Sequence, residues 1–298
     1  MFSTEELERY ARTLWWGLTT ARGKAYAEGE FVLLRYDLDA LPLAEAMFAL
    51  LLREKLVPVA RTNLSTRMEH DFFAIGSKDQ VAAVPPGDKV LFEDLSGLVS
   101  LIAPASLTHL AGVDPSRIGH AAVARKFLRD ILDVREQRGA FGWTLCAYPT
   151  PALAEAAGLD TAAYAEQIRK ACFLDTDDPV AGWQEIFEQS AEVKAWLGGL
   201  DIKALRVESE HCDLTVAPGE MRRWLGVSGH NIPSFEIFLS PDWRGTRGVY
   251  YADQPSYRSG NLVSGVRLEF EAGVVVQSSA EQGESFVRQQ LAMDEGRS

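Results

Sequence analysis

Cysteine is scarce in this 298-residue chain: Cys146, Cys172 and Cys212 are its three, too few and too scattered for a disulfide framework or a zinc knuckle. Free thiols of this kind suit a reducing compartment. Positive charge is short as well, with 30 Lys and Arg against 42 Asp and Glu and a net charge of -12. Polyanions and anionic bilayers repel such a chain at long range, so neither a nucleic-acid nor a membrane partner is expected. Long hydrophobic runs are absent; the longest uncharged apolar stretch, Leu98 to Leu107, is broken by Pro104 and too short to cross a bilayer. The start, Met1-Phe2-Ser3-Thr4-Glu5-Glu6, has no basic segment and no apolar one, so no secretory signal is read there and the expected location is cytoplasmic. No Gly-x-Gly-x-x-Gly, phosphate-binding loop, Gly-x-Ser-x-Gly or His-Glu-x-x-His occurs, which removes the easily read nucleotide, serine-hydrolase and zincin hypotheses.

What is present is a globular composition, 47% hydrophobic and 24% charged. Strand-length apolar runs at 31–36, 56–60, 98–103 and 143–148 alternate with helix-like stretches at 43–54 and from Pro115 toward Arg135. Pro58 weakens the second strand, because it cannot donate to a ladder. Ser3 with Glu6 has capping-box spacing at the head of a first helix. Strands separated by helices predict a parallel sheet covered on both faces, and two further helices are read at 160–173 and 180–197. After Leu200 short strands follow in quick succession at 204–207, 214–216, 248–251, 266–270 and 274–276, with Glu271-Ala272-Gly273 as a hairpin turn and a last helix at 281–291. The expected architecture is α/β: an N-terminal parallel-sheet domain over residues 1–200, then a strand-rich α+β segment over residues 201–298.

The chemistry concentrates in Gly229-His230-Asn231-Ile232-Pro233-Ser234-Phe235-Glu236-Ile237-Phe238, a turn-rich run ending in a carboxylate between apolar residues. A glutamate at such a loop-to-strand junction lies close to a core yet can point into a cleft, which is where a hard metal ligand belongs. Taken alone, Glu236 is an ordinary loop carboxylate.

With Pro241-Asp242, the pattern Asn231-x-Pro233-x-x-Glu236-x-Phe238 resembles the signature of the thermophilic-type metallo-aminopeptidases. Other segments resemble that family in the same order: Gly112-Val113-Asp114-Pro115, Trp143-Thr144-Leu145-Cys146-Ala147-Tyr148-Pro149, Asp178-Pro179-Val180-Ala181-Gly182-Trp183, Cys212-Asp213-Leu214-Thr215-Val216, Gly248-Val249-Tyr250-Tyr251 and Met293-Asp294-Glu295-Gly296. The resemblance implies a homodimeric enzyme that removes single residues from free peptide N-termini. Two divalent ions, zinc, cobalt or similar, would polarise the scissile carbonyl and activate a shared water, and Glu236 would be the first metal ligand. Phe235 stands where the family has a small or acidic residue, and its ring is expected to narrow the substrate pocket. The family's second carboxylate, its later Glu and His pair, Tyr and His-x-Asp are not found before Ser298. The resemblance therefore implies that the last catalytic third is absent and that the catalytic residues lie beyond Ser298, so this chain alone is expected neither to bind the two ions tightly nor to be active. The rival expectation is a short non-catalytic relative serving as a binding or assembly module. A removed third would also leave apolar surface exposed and the chain prone to associate.

Other candidates carry simpler expectations. His230 is read as a turn histidine bonded to backbone. His211 and Asp213 are read as a polar strand end, because two donors do not complete a zinc site. Glu69-His70-Asp71 is read as an exposed helix face whose neighbours point apart. His109 and His120 carry no sequence signal.

Overall fold

The computed structural model describes residues 1–292. Helix α1 (Thr4–Arg22) opens with the expected capping box: Ser3 Oγ accepts from the Glu6 amide at 3.2 Å, and Glu6 Oε2 accepts from the Ser3 amide at 2.6 Å. There follow β1 (Phe31–Tyr36), a 3-10 turn (Leu38–Ala40), α2 (Leu41–Arg53), β2 (Val57–Thr62), α3 (Thr66–Ile75), α4 (Lys78–Ala82), α5 (Asp88–Asp94), β3 (Leu95–Ile102), α6 (Pro115–Gln137) and β4 (Gly142–Ala147). Next come α7 (Pro151–Ala156), α8 (Thr161–Ala171) and α9 (Pro179–Gly198).

The first four strands pair in parallel in the order β2-β1-β3-β4. Both faces are covered, which is why the strands read as continuous apolar runs rather than alternating ones. Val32 and Leu34 enter one core with Tyr10, Leu14 and Leu18 of α1, Met47 and Leu51 of α2, and Trp183 of α9. Between them Leu33 turns the other way and joins Leu95 and Phe141, against which Leu132 of α6 packs. Pro58 is tolerated because among the described residues β2 is an edge strand that pairs with β1 alone.

After α9 come β5 (Leu205–Glu208), β6 (Asp213–Ala217), β7 (Leu225–Gly226), β8 (Asn231–Ile232), β9 (Ile237–Phe238), β10 (Asp242–Ala252), β11 (Ser256–Arg258), β12 (Asn261–Val263), β13 (Val266–Glu271), β14 (Val274–Ser279) and α10 (Glu284–Leu291). A second, antiparallel sheet has the order β14-β13-β10-β6-β5. Its β13–β14 hairpin turns where expected, with Ala272 and Gly273 at φ of 50° and 84°. The chain does not stay on the second sheet after residue 200. The two-residue strand β8 returns to the first sheet and pairs in parallel with β4, Asn231 against Leu145 and Ile232 against Cys146. Two residues are too few to leave a periodic signal, so this strand was not anticipated. No helix among the described residues is long and apolar enough to cross a membrane.

Candidate metal centre

The run that carries Glu236 is fixed at three places. At its head, Leu145 of β4 donates its amide to the His230 carbonyl at 2.7 Å. Just before, Gly229 lies against α1 backbone to backbone: a Cβ at Gly229, whose φ is +83°, would stand 2.2 Å from the Gly17 carbonyl oxygen. At its tail, β9 pairs antiparallel with β7, and there Gly226 has φ +136° with room for a Cβ only 2.1 Å from the Glu236 carbonyl oxygen. Side chains larger than hydrogen at either glycine would push the loop off its supports.

In the middle, the Phe235 ring stacks on buried Trp183, centroids 5.2 Å apart and planes at 17°, and Trp183 stacks in turn on Trp16 at 5.8 Å. Phe235 therefore packs over an aromatic ladder and does not line the cleft beside Glu236, contrary to the expectation that it narrows the pocket.

Glu236 itself is exposed and lines a cleft of about 140 Å³ with Trp143, Ser228, His230, Asn231 and Ser234. Among the described residues its carboxylate has no hydrogen-bond or ion-pair partner, so its oxygens are free to ligate. His230 is held differently from the backbone-bonded turn histidine expected. Its Nε2 is 3.0 Å from Glu136 Oε1 at the end of α6, its Nδ1 is 2.6 Å from Ser228 Oγ, and its ring lies 4.3 Å from that of Trp143. A carboxylate oxygen accepts, so Nε2–H donates to Glu136, and Nδ1 shares a hydrogen bond with the serine hydroxyl. Both ring nitrogens are engaged, and His230 is not free to bind an ion in this arrangement.

The remaining candidates stay apart. Asp213 accepts two hydrogen bonds from Arg206 at 2.8 and 2.9 Å, and the arginine holds its carboxyl below the usual range. His211 is exposed and meets the Tyr251 ring edge-on. Glu69 is not merely solvated on a helix face: its carboxylate reaches His109 Nε2 at 2.8 Å, while His109 Nδ1 sits 3.1 Å from the Ser106 carbonyl oxygen. That tie spans forty residues of sequence, beyond what any local spacing reveals. The three cysteines are unpaired and buried; burial pushes the Cys146 thiol up to about 12 and raises Cys172 further, so neither offers a thiolate near neutrality.

Among the described residues no group of three or more His, Cys, Asp or Glu side chains is placed to hold a metal ion. A catalytic divalent site takes three protein ligands or more, so Glu236 fits as one oxygen donor and the described donor set does not complete a centre. Asp294 and Glu295 of the expected Met293-Asp294-Glu295-Gly296 segment, like Ser298, lie outside the described residues.

The model of the thermophilic metalloprotease family matches residues 3–298. The chain belongs to this family. A match running to residue 298 gives no support to the expectation of a missing catalytic third. Over 204 residues the chain is 30% identical to Aminopeptidase T of Thermus aquaticus, covering 63% of this chain and 50% of that protein. It is 29% identical over 223 residues to Aminopeptidase 2 of Geobacillus stearothermophilus, covering 69% and 53%. Aminopeptidase PepS of Streptococcus thermophilus matches over 307 residues at 24% identity, covering 95% of this chain and 72% of that protein. The chain thus spans about half the length of the first two of these curated relatives. The solved structure of wild-type AmpT from Thermus thermophilus superimposes with a TM-score of 0.75 at 21% identity, covering 98% of this chain and 75% of the other, and it shares the α/β fold of this metalloprotease-family member.

Proposed function

We propose that the chain is a metal-dependent aminopeptidase acting on free peptide N-termini, with Glu236 as one ligand of a centre of two divalent ions such as zinc or cobalt. The observation that carries the reading is a carboxylate that lines a cleft and has no partner among the described residues, on a loop held by two backbone-tight glycines and an aromatic stack, in a member of a metalloprotease family. The relatives named above are aminopeptidases by name, which supports peptides as the substrate class. Further ligands and the general base have to come from groups other than those described, and no chemical step is assigned to the described residues. A homodimer in the cytoplasm is part of the same proposal.

The incomplete donor set favours a second reading, a non-catalytic relative that acts as a binding or assembly module. The two separate in one assay: release of leucine from a free leucyl peptide and from its N-acetylated twin, with zinc or cobalt and with chelator. Release from the free peptide alone, abolished by chelator and by Glu236→Ala, supports the enzyme. Absence of metal-dependent release supports the module.

A further inference from the structure

Apart from the peptidase reading, the cleft holds a second chemical arrangement. Ser228 and His230 line it together with Trp143, Glu236 and Phe238. Ser228 is exposed, and its Oγ lies 2.6 Å from His230 Nδ1. On the other side of the ring, Nε2 lies 3.0 Å from Glu136 Oε1. The ring also packs 4.3 Å from that of Trp143, so three contacts set its orientation. A hydroxyl, an imidazole and a carboxylate in this order of hydrogen bonds have the roles of nucleophile, base and orienting group. In the neutral ring, giving Nε2–H to Glu136 leaves Nδ1 as an acceptor for the hydroxyl. The two nitrogens are exchanged relative to the familiar serine triad, but the proton path needs only one that accepts and one that donates. Such a triad is recognised by geometry and roles, so the lack of a Gly-x-Ser-x-Gly motif does not count against it.

The backbone at the serine points the same way. Val227 is held at φ +47°, next to Gly226 at +136° and two residues before Gly229 at +83°. A β-branched residue is an outlier there, and strain of this kind gathers at functional sites. Val227 is buried in the main core, which anchors the strained turn while Ser228 faces out. The amides of Ser228 and Gly229 find no backbone acceptor among the described residues. They are the donors at hand for an oxyanion formed at Ser228.

We propose that Ser228, His230 and Glu136 form a metal-independent esterase centre for short acyl esters. The cleft of about 140 Å³ limits the acyl group to a small one, and Trp143 and Phe238 give it an apolar wall. Ser228 Oγ bonds to the acyl carbon as its proton passes to His230 Nδ1, and the carbonyl π pair moves onto the oxygen. Collapse breaks the ester C–O bond, and the alcohol leaves with the proton from Nδ1. Water then attacks the acyl-serine and gives a proton to Nδ1, and Oγ takes that proton back as the acid is released. Glu136 touches no reacting atom and is a positioning residue.

The test treats the full chain, with chelator present, with a small fluorophosphonate and maps the adduct by mass spectrometry; turnover is followed with p-nitrophenyl acetate. One adduct per chain should form, on Ser228, and Ser228→Ala should remove both the adduct and the ester hydrolysis. Ser228 is exposed, so circular dichroism of this variant should match wild type. His230→Gln should slow labelling and turnover at least tenfold. Glu136→Gln should lower kcat at least tenfold and leave KM within about twofold, a split that lost folding would not give. No adduct, an adduct elsewhere with Ser228 untouched, labelling at the wild-type rate in His230→Gln, or labelling only without chelator overturns the centre. An unchanged kcat in Glu136→Gln overturns the relay. Metal-dependent release of leucine from a leucyl peptide with no Ser228 adduct would overturn the esterase and leave the aminopeptidase reading intact. Ser228 labelling without that release would keep the esterase and count against the aminopeptidase.

Discussion

Replacing Gly229 with alanine should loosen the loop that presents Glu236, and the size of the effect can be worked from two separable terms. The residue sits at φ +83°, and a non-glycine residue held in the left-handed region costs about 1–2 kcal/mol. The added Cβ would also stand 2.2 Å from the Gly17 carbonyl oxygen. Neither backbone can yield without separating α1 from the sheet, and such overpacking costs about 1–3 kcal/mol more. Gly158 supplies the control: its φ is +67°, but a Cβ there meets nothing within 4 Å. Gly158→Ala should therefore cost only the first term. In urea unfolding followed by circular dichroism, Gly229→Ala should lose about 4 kcal/mol and Gly158→Ala about 1 kcal/mol. A 4 kcal/mol loss corresponds to a Tm drop of about 8 °C or more for a domain of this size. Equal losses for the two variants would refute the claim that the glycine pair fixes the site loop by contact.

Three further outcomes follow from particular contacts. Arg22, whose side chain is 8% exposed, is clamped by Glu30 at 2.5 and 2.8 Å, so Glu30→Gln should cost about 3 kcal/mol by leaving a buried cation without its partner. Arg22 also holds the Glu30 carboxyl below its ordinary range. Its contribution is then complete above that range and lost as pH falls through the depressed folded value, and the gap between wild type and Glu30→Gln in urea midpoint should close below about pH 4. Cys146 and Cys172, buried with raised pKa values, should resist a disulfide reagent at pH 8 until the chain unfolds; rapid titration of more than one thiol in native protein would contradict their placement. Glu136→Ala should cost about 1–2 kcal/mol by removing the acceptor 3.0 Å from His230 Nε2. An unchanged urea midpoint would mean that this contact does not help to hold the head of the site loop.

The parallel sheet was legible because strands buried on both faces leave unbroken apolar runs, as at Phe31–Tyr36 and Leu95–Ile102. Helix starts were legible at Ser3 and Asp114, where a capping side chain precedes the first turn. Strand β8 was not, since its place beside β4 is decided by a backbone contact between Gly229 and Gly17 that no periodicity encodes. Glu236 stood out through its motif, and the structure adds that its carboxylate lines a cleft with no partner among the described residues. The Glu136, Ser228 and His230 chain and the Glu69–His109 tie went unread because their partners meet only through tertiary folding.

The central claim is that Glu236 is a metal ligand, and the most direct measurement is a manganese titration followed by loss of the free-ion EPR signal, on wild type beside Glu236→Ala. Glu236 is exposed and has no partner among the described residues, so the variant should keep the wild-type urea midpoint. The account predicts saturable binding by wild type and at least tenfold weaker binding by Glu236→Ala, a difference of about 1.4 kcal/mol or more. Equal affinities, or no binding by the wild-type chain, would contradict it.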